Sequence, residues 1–409
     1  KRNQARKNNI INYSNLTKIP SQLDCKKRFS NVKVNQFKWS ESEGWTPKLI
    51  PGSDASVVFV FGSRAQLQQS NILESLKANY PQSIIIGGST SGEILGTEVF
   101  DNSVVVTAVN FEKTKIKLSF VSCDSNDKSF EAGKELAQNF DHSQLQHVLV
   151  MSNGLHVNGT ELSRGMSKVL PANVAVTGGL AGDAADFTET YVITNEMQSS
   201  VGVAAIGLYG NNLNINYGSA GGWRSFGPER TVTKSEGSTL YELDDKNALD
   251  LYKLYLGDKK KELPGSALLF PLLITRDKDK KGVVRTILSV DDGKQSMTFA
   301  GDISQGATAQ LMRANTENLI EGASDAAKAC IKQPKNSNGD QLAILVSCVG
   351  RKLVMKQRVE EEVDVVKEII GKDTKITGFY SYGELAPYEN NESCELHNQT
   401  MTVTLISES

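Results

Sequence analysis

Three segments of this sequence end in a glycine followed by an acid: Gly92-Glu93, Gly182-Asp183 and Gly383-Glu384. Glycine admits positive φ and lets another backbone or a ligand come close. Ligands of α/β folds sit beyond the carboxyl ends of strands, where such carboxylates could hold an ammonium group or a basic side chain. They could equally accept hydrogen bonds from a neighbouring turn and be architectural, and both roles stay open. Arg64 and Arg351 each follow an apolar run and could grip a carboxylate through paired hydrogen bonds. Arg224, beside Trp223, is a third such residue, although the surface is the default place for all three. Where the other segments have arginine, the second has Asn153-Gly154-Leu155-His156.

Of the four histidines, His142 and His147 flank a polar stretch and are expected at the surface. His156 lies in a glycine-bounded loop after a strand, a place for a ligand-facing side chain. His397 stands just before the last strand. One imidazole can ligate a haem iron, which makes haem b a candidate cofactor through His156 or His397. A lone histidine is more often simply hydrogen-bonded or exposed. No histidines stand at metal-ligand spacing and HExxH is absent. GxGxxG and GxxxxGK[ST] are absent too, so neither a Rossmann nor a P-loop nucleotide site is indicated. GSTSG at 88–92 has Thr90 at its centre and lacks the nucleophile elbow GxSxG. A hydrolase built on Cys348 or on one of the acids would need a partner base, and none stands in recognisable order. The expected site is instead a ligand pocket lined by Arg64, Gly88, Ser89, Glu93, Asn153, His156, Gly179, Asp183, Tyr382 and Glu384.

These residues are carried by one order of elements used three times. In the first copy an apolar strand at 57–62 precedes a helix with Ile72, Leu73, Leu76 and Tyr80 on one face. A strand at 84–86, a turn at 87–93 and a strand at 104–109 follow. The second copy has strand 148–151, a helix marked by Leu162, Met166, Val169 and Leu170, strand 174–176, turn 178–183 and strand 201–208. The third has strand 342–348, a helix striped by Val359, Val363, Val366, Ile369 and Ile370, residues 376–377, turn 378–384 and strand 402–406. Helices between strands imply crossovers and helix-covered sheets. The predicted fold is α/β, with two related domains built from strand–helix–strand–turn–strand units.

Between the second and third copies, Ala248, Leu251, Tyr252, Tyr255 and Leu256 have helical spacing, closed by Gly257. Residues 268–275 and 283–290 read as strands around a charged turn at 277–282. A helix rich in small residues is expected over 308–332, then a polar loop at 333–339. The domains are placed at 51–220 and 221–409, behind a basic arm at 1–50. That arm is expected to be partly disordered, since residues 1–40 carry ten Lys or Arg and one acid.

With 409 residues and a net charge of −2, the chain is long enough for two or three domains and too acidic for a general nucleic-acid binder. Its five cysteines are scattered without a CxxC pair, which fits reduced thiols in a cytoplasmic protein. The longest apolar run, 267–274, is interrupted by Pro271 and is too short to span a bilayer. The chain begins at Lys1, which leaves a removed leader open.

The blocks IGGSTSGEI (86–94), NGLHVNGTEL (153–162), TGGLAGD (177–183), GFYSYGEL (378–385) and LHNQT (396–400) resemble the FIST family, in that order and spacing. Residues 232–257 continue the resemblance, which spans about 50–407. It implies paired FIST_N and FIST_C domains of bacterial sensory signal transduction. The ligand would be small, with amino acids proposed for some members. One subset resembles haem-binding nitric-oxide sensors that work with histidine kinases or cyclic-di-GMP enzymes. By that resemblance the partner is a separate kinase or cyclic-di-GMP enzyme, and a homodimer is possible.

Overall fold

The computed structural model describes residues 32–50, 54–69, 71–263, 265–276, 282–331, 341–387 and 393–409. Most of the basic arm, Cys25, nearly all of the charged turn at 277–282 and the loop at 333–339 lie outside the described residues.

Each unit is led by a largely apolar, buried strand: Val57–Ser63, Leu145–Ser152 or Leu342–Cys348. Each pairs in parallel with the next strand of its own unit, Ile84–Thr90, Ala175–Leu180 or Lys375–Ser381. Parallel neighbours need a crossover. The predicted helical stripes supply it at Ile72–Asn79, Gly159–Ser167 and Glu360–Ile370. A closing strand lies antiparallel on the other side of the leading strand: Val104–Phe111, Val203–Tyr209 or Met401–Glu408. Beyond it runs a fourth strand, Val32–Ser40, Lys115–Val121 or Leu213–Ala220. The last part of the basic arm is therefore a strand of the first sheet.

The glycine segments differ from expectation. Residues 87–90, 178–180 and 378–381 are not turns but continue the parallel ladder. Their glycines answer to space: a Cβ on Gly87 would stand 1.8 Å from the Val60 carbonyl oxygen. On Gly178 or Gly378 it would stand 2.0 Å from that of Val150 or Leu345. The true turn is confined to the residues just before each acid.

At that turn the chain leaves its own sheet. Glu93–Leu95 of the first unit pairs with Lys375–Ser381 of the third. Gly383–Pro387 of the third pairs with Ala175–Leu180 of the second. Val192–Thr194 of the second pairs with Ile84–Thr90 of the first. The three exchanges close a cycle, so each sheet's edge is covered by another unit. Strand alternation then sorts the side chains. Phe59, Phe61, Leu149, Met151, Ile344, Val346 and Phe379 meet in one shared core, with the Phe61 and Phe379 rings 4.7 Å apart. Val58 and Val60 face Leu76, Val148 and Val150 face Leu162, and Leu345 faces Val363, each under its own helix.

Between the second and third units a lobe over residues 224–313 forms its own sheet. The helix Ala248–Leu256 covers it, burying Leu249 and Tyr252 against Val232, Leu240 and Phe299. The expected strand at 268–275 is a 3-10 turn, Gly265–Leu269, and a shorter strand, Leu272–Thr275. The one at 283–290 divides into Val283–Arg285 and Ile287–Asp291. Residues 308–332, expected as one helix, divide into the strand Thr308–Arg313 and the helix Thr316–Ile331. Ala309 and Leu311 are buried on one face there, and pairing with Leu272–Thr275 uses that alternation as a strand.

Candidate functional site

Two of the three acids have matching surroundings. The Thr90 hydroxyl donates to Glu93 Oε1 (2.7 Å), and Oε2 accepts from the Ser103 hydroxyl (2.7 Å) and N–H (3.3 Å). The Ser381 hydroxyl donates to Glu384 Oε1 (2.6 Å), and Oε2 accepts from the Thr400 hydroxyl (2.9 Å) and N–H (3.1 Å). Each carboxyl ties the start of an exchanged strand to the residue just before a closing strand. Both are fully buried, and burial, opposed by these hydrogen bonds, pushes each pKa up to about 8.

A pH dependence follows with a definite sign. Between the ordinary value of 4.5 and about 8 the folded chain holds two protons that the unfolded chain has released. That stability is fully present below the unfolded value and is lost as pH rises through the folded one. The E93Q/E384Q double variant is expected to show a flatter urea-midpoint profile than the parent from about pH 5 to 8. The difference is at most about 1.4 kcal/mol per pH unit for each carboxyl. Parallel profiles would mean that both groups are ionised in the fold.

Asp183 is built differently. Its Oδ1 accepts from Phe187 N–H (2.9 Å) and the Tyr382 hydroxyl, and Oδ2 accepts from the N–H groups of Thr188 (2.9 Å) and Glu189 (3.0 Å). Burial works against its charge, but the hydrogen bonds from Tyr382, Glu189 and Thr188 together hold it below the usual carboxylate range. Arg64 lies 3.7 Å from Asp183 and pairs with Asp186 at 2.9 Å. The Tyr382 ring stacks on Phe187 at 4.6 Å. Arg64, Asp183 and Tyr382 are thus brought together from all three units.

The other expected site residues serve the framework around them. Ser89 Oγ accepts the Tyr191 N–H (2.8 Å), and Gly88 leaves room for the Tyr191 carbonyl. A Cβ on Gly179 would meet Val346 and the Gly383 carbonyl. Asn153 is buried: its amide donates to Thr190 O (3.0 Å) and Ser200 O (2.7 Å), while Oδ1 accepts from Leu155 and His156 N–H. Arg224 is exposed beside Glu321, as expected.

Two surface expectations fail. His147 is buried, paired with Thr177 Oγ1 at 2.8 Å and pushed down to about 3 by burial. Arg351 is fully buried against Glu362, whose carboxylate also takes hydrogen bonds from Ser347 and Tyr380. In each case a neighbouring element supplies the partner that makes burial tolerable.

A haem does not fit these residues. His397 is buried with Nε2 on the Ala386 carbonyl (3.0 Å) and is pushed down to about 4, chiefly by burial. His156 is exposed on its loop. Neither lines the cavities at the seam between the lobe and the three units. Among the described residues no cluster of His, Cys, Asp or Glu could hold a metal ion.

That seam is held by hydrogen bonds from Arg285 to Leu396 O (2.9 Å), Asn158 to Asp302 Oδ1 (2.9 Å) and Gln399 to Leu268 O (3.1 Å). It contains a cavity of about 70 Å³ against Gly154, Leu155, Leu180, Phe187 and Tyr382. A larger one of about 500 Å³ is lined by Phe130, Thr160, Ser163, Arg164, Ser167, Lys168, Arg276, Arg285 and residues 393–396. Tyr382 and the Asn153 loop were legible in the sequence, but the larger cavity was not. One signal was present: Arg285 shares the inward face of its strand with Val283, a charge on an apolar face.

Residues 56–246 match the FIST N domain and residues 248–387 the FIST C domain. An uncharacterized protein of Methanocaldococcus jannaschii, MJ1623, is 23% identical over 396 residues, covering 84% of this chain and 73% of that one. A crystal structure of cyanuric acid hydrolase from A. caulinodans aligns over 92% of this chain and 99% of that one, with a TM-score of 0.36 and 7% identity. A second cyanuric acid hydrolase aligns over 92% and 100%, with a TM-score of 0.33 and 9% identity. Likeness at that level transfers neither fold nor activity. The two domain matches together cover most of the sequence, in the order of the exchanged units, and the chain belongs to the FIST family of small-ligand sensory domains.

Proposed function

We propose that this chain senses a small polar metabolite in the seam between the lobe and the three-unit body, and reports its presence to a separate signalling partner. The observation that carries this is the makeup of the cavity of about 500 Å³. Its wall is shared by the lobe (Arg276, Arg285), the second unit's helix (Thr160, Ser163, Arg164) and the third unit's exchanged hairpin (394–396). The volume lies in the range of small-molecule sites. A ligand touching all three segments changes how firmly the lobe is held, which is the differential contact that a signal requires. The moving parts in this reading are the lobe and the body, since the halves 51–220 and 221–409 exchange strands.

The family resemblance supports a histidine kinase or a cyclic-di-GMP enzyme as the partner, acting as a separate chain. A hydrolase finds less support. Cys348 is buried and its thiol is raised far above the ordinary range by desolvation, so it is held as an inert thiol.

A thermal-shift screen of polar metabolites, followed by hydrogen exchange with each hit, tests the reading. A hit is expected to slow exchange in residues 158–168, 283–287 and 394–399. Protection confined to other segments would place the ligand elsewhere. A protein that no metabolite stabilises would instead be acting as an adaptor.

A further inference from the structure

We infer that the seam cavity takes a small oxyanion, a molecule presenting a carboxylate or phosphate group, between Thr160 and Arg285 on its buried side and Lys168 and Arg276 at its opening. This deepens, and rests on, the proposal that the seam is the sensing site.

The lining is strongly unbalanced in charge. Arg164, Lys168, Arg276 and Arg285 contribute cations, and Glu395 is the one acid among the described lining residues. Arg164 is partly neutralised by Glu161, one turn back on the same helix. Lys168 and Arg276 have no carboxylate partner among the described residues and are exposed at the rim. A lysine just past a helix end commonly does no more than complement the helix dipole. Lys168 is set apart because it shares a concave wall with Arg164 of its own helix and with Arg276 and Arg285 of the lobe.

Two buried groups give the site its inner surface. Arg285 is 1% exposed, yet it is among the residues lining the cavity, and its guanidinium donates to Leu396 O at 2.9 Å. Gly301 is what lets it lie there, since a Cβ at that position would come within 2.9 Å of Arg285 Nε. Thr160 is 6% exposed and its hydroxyl has no hydrogen-bond partner. A buried hydroxyl left unsatisfied carries a desolvation cost, and Thr160 is among the residues that line the cavity. A hydroxyl donor beside guanidinium and ammonium groups matches an acceptor-only oxyanion. It does not match a cation or an apolar molecule. Because Arg285 also holds the lobe to Leu396, an anion competing for its donors would act on the seam itself.

Inorganic phosphate and citrate are the probes, titrated into the full chain by calorimetry at constant ionic strength set with chloride. Hydrogen exchange is followed in parallel. Saturable binding of at least one probe is expected, with protection of residues 158–168 and 283–287. The K168Q/R276Q variant, altered only at exposed positions, is expected to keep the parent melting temperature and bind at least about ten-fold more weakly. T160V is expected to bind more weakly by a smaller factor. Whether phosphate or citrate binds more tightly identifies the headgroup. Binding that the double variant leaves unchanged overturns the inference, because the anion would then sit elsewhere. If neither anion binds while a neutral metabolite protects the seam, the oxyanion inference falls and the sensing proposal stands. If nothing protects the seam, both fall.

Discussion

Cut between residues 220 and 221, the chain is expected to give two fragments of which neither folds alone. Fragment 1–220 would lose Gly383–Pro387 from the edge of Ala175–Leu180, leaving that strand's N–H and C=O groups unpaired. It would also lose Ile344, Val346 and Phe379 from the core shared by the three sheets. Its own strands Glu93–Leu95 and Leu213–Ala220 each lose a partner that the other fragment supplies. Domains are stable by only about 5–15 kcal/mol, and truncating a single buried Phe costs about 3–5 kcal/mol. Losing several such side chains and three strand pairings therefore exceeds the margin. The isolated fragment is expected to lack near-UV circular dichroism and a calorimetric unfolding peak, and to aggregate through its exposed edge. Co-expression of both fragments should restore a single cooperative transition. A monomeric fragment 1–220 that melts cooperatively within a few degrees of the whole chain would show that the exchanged strands are dispensable.

The second large effect is expected at Arg351. Its guanidinium donates to Glu362 from Nε (3.0 Å) and Nη2 (2.7 Å), and to the carbonyls of Leu319 (2.8 Å) and Gly221. It thereby ties three helices and the loop leading into the lobe. Arg351→Ala leaves the Glu362 carboxylate buried with only Ser347 and Tyr380 as donors. Removing one partner of a buried pair costs about 3–5 kcal/mol, because the other charge remains desolvated. Urea unfolding should show the lowered midpoint with an unchanged slope. Arg351→Lys is expected to rescue little, since an ammonium cannot reproduce the planar fork. Arg351→Met with Glu362→Leu should recover much of the loss. A cost below about 1 kcal/mol for the alanine variant would mean that the pair is hydrated in solution.

The units themselves were legible because their signals are local. Apolar runs, stripes such as Val363 and Val366, and the recurring glycine–acid pairs each report a neighbourhood of a few residues, and the structure repeats them in order. The glycine segments were misread for a reason equally physical. A glycine needed for a turn and one needed where a parallel neighbour's carbonyl comes close look alike in sequence, and Gly87 and Gly378 are the second kind. Residues 308–313, with Ala309, Leu311 and Met312 among polar neighbours, suit either helix or strand, and only the partner Leu272–Thr275 decides between them.

By itself, then, the sequence determined the three repeated units, the helix covering the lobe and the family. Each follows from side-chain type and spacing along the chain. Only the tertiary structure decided that the units exchange edge strands in a cycle, because strand pairing is chosen by whichever edge is left uncovered. It also decided which polar groups are buried. Arg351 and His147 are tolerated inside because Glu362 and Thr177 reach them from other elements. The seam cavity belongs to the same class. Thr160 and Lys168, Arg276 and Arg285, and Cys394 come from three separate parts of the chain, and nothing in their local spacing records that they share one wall.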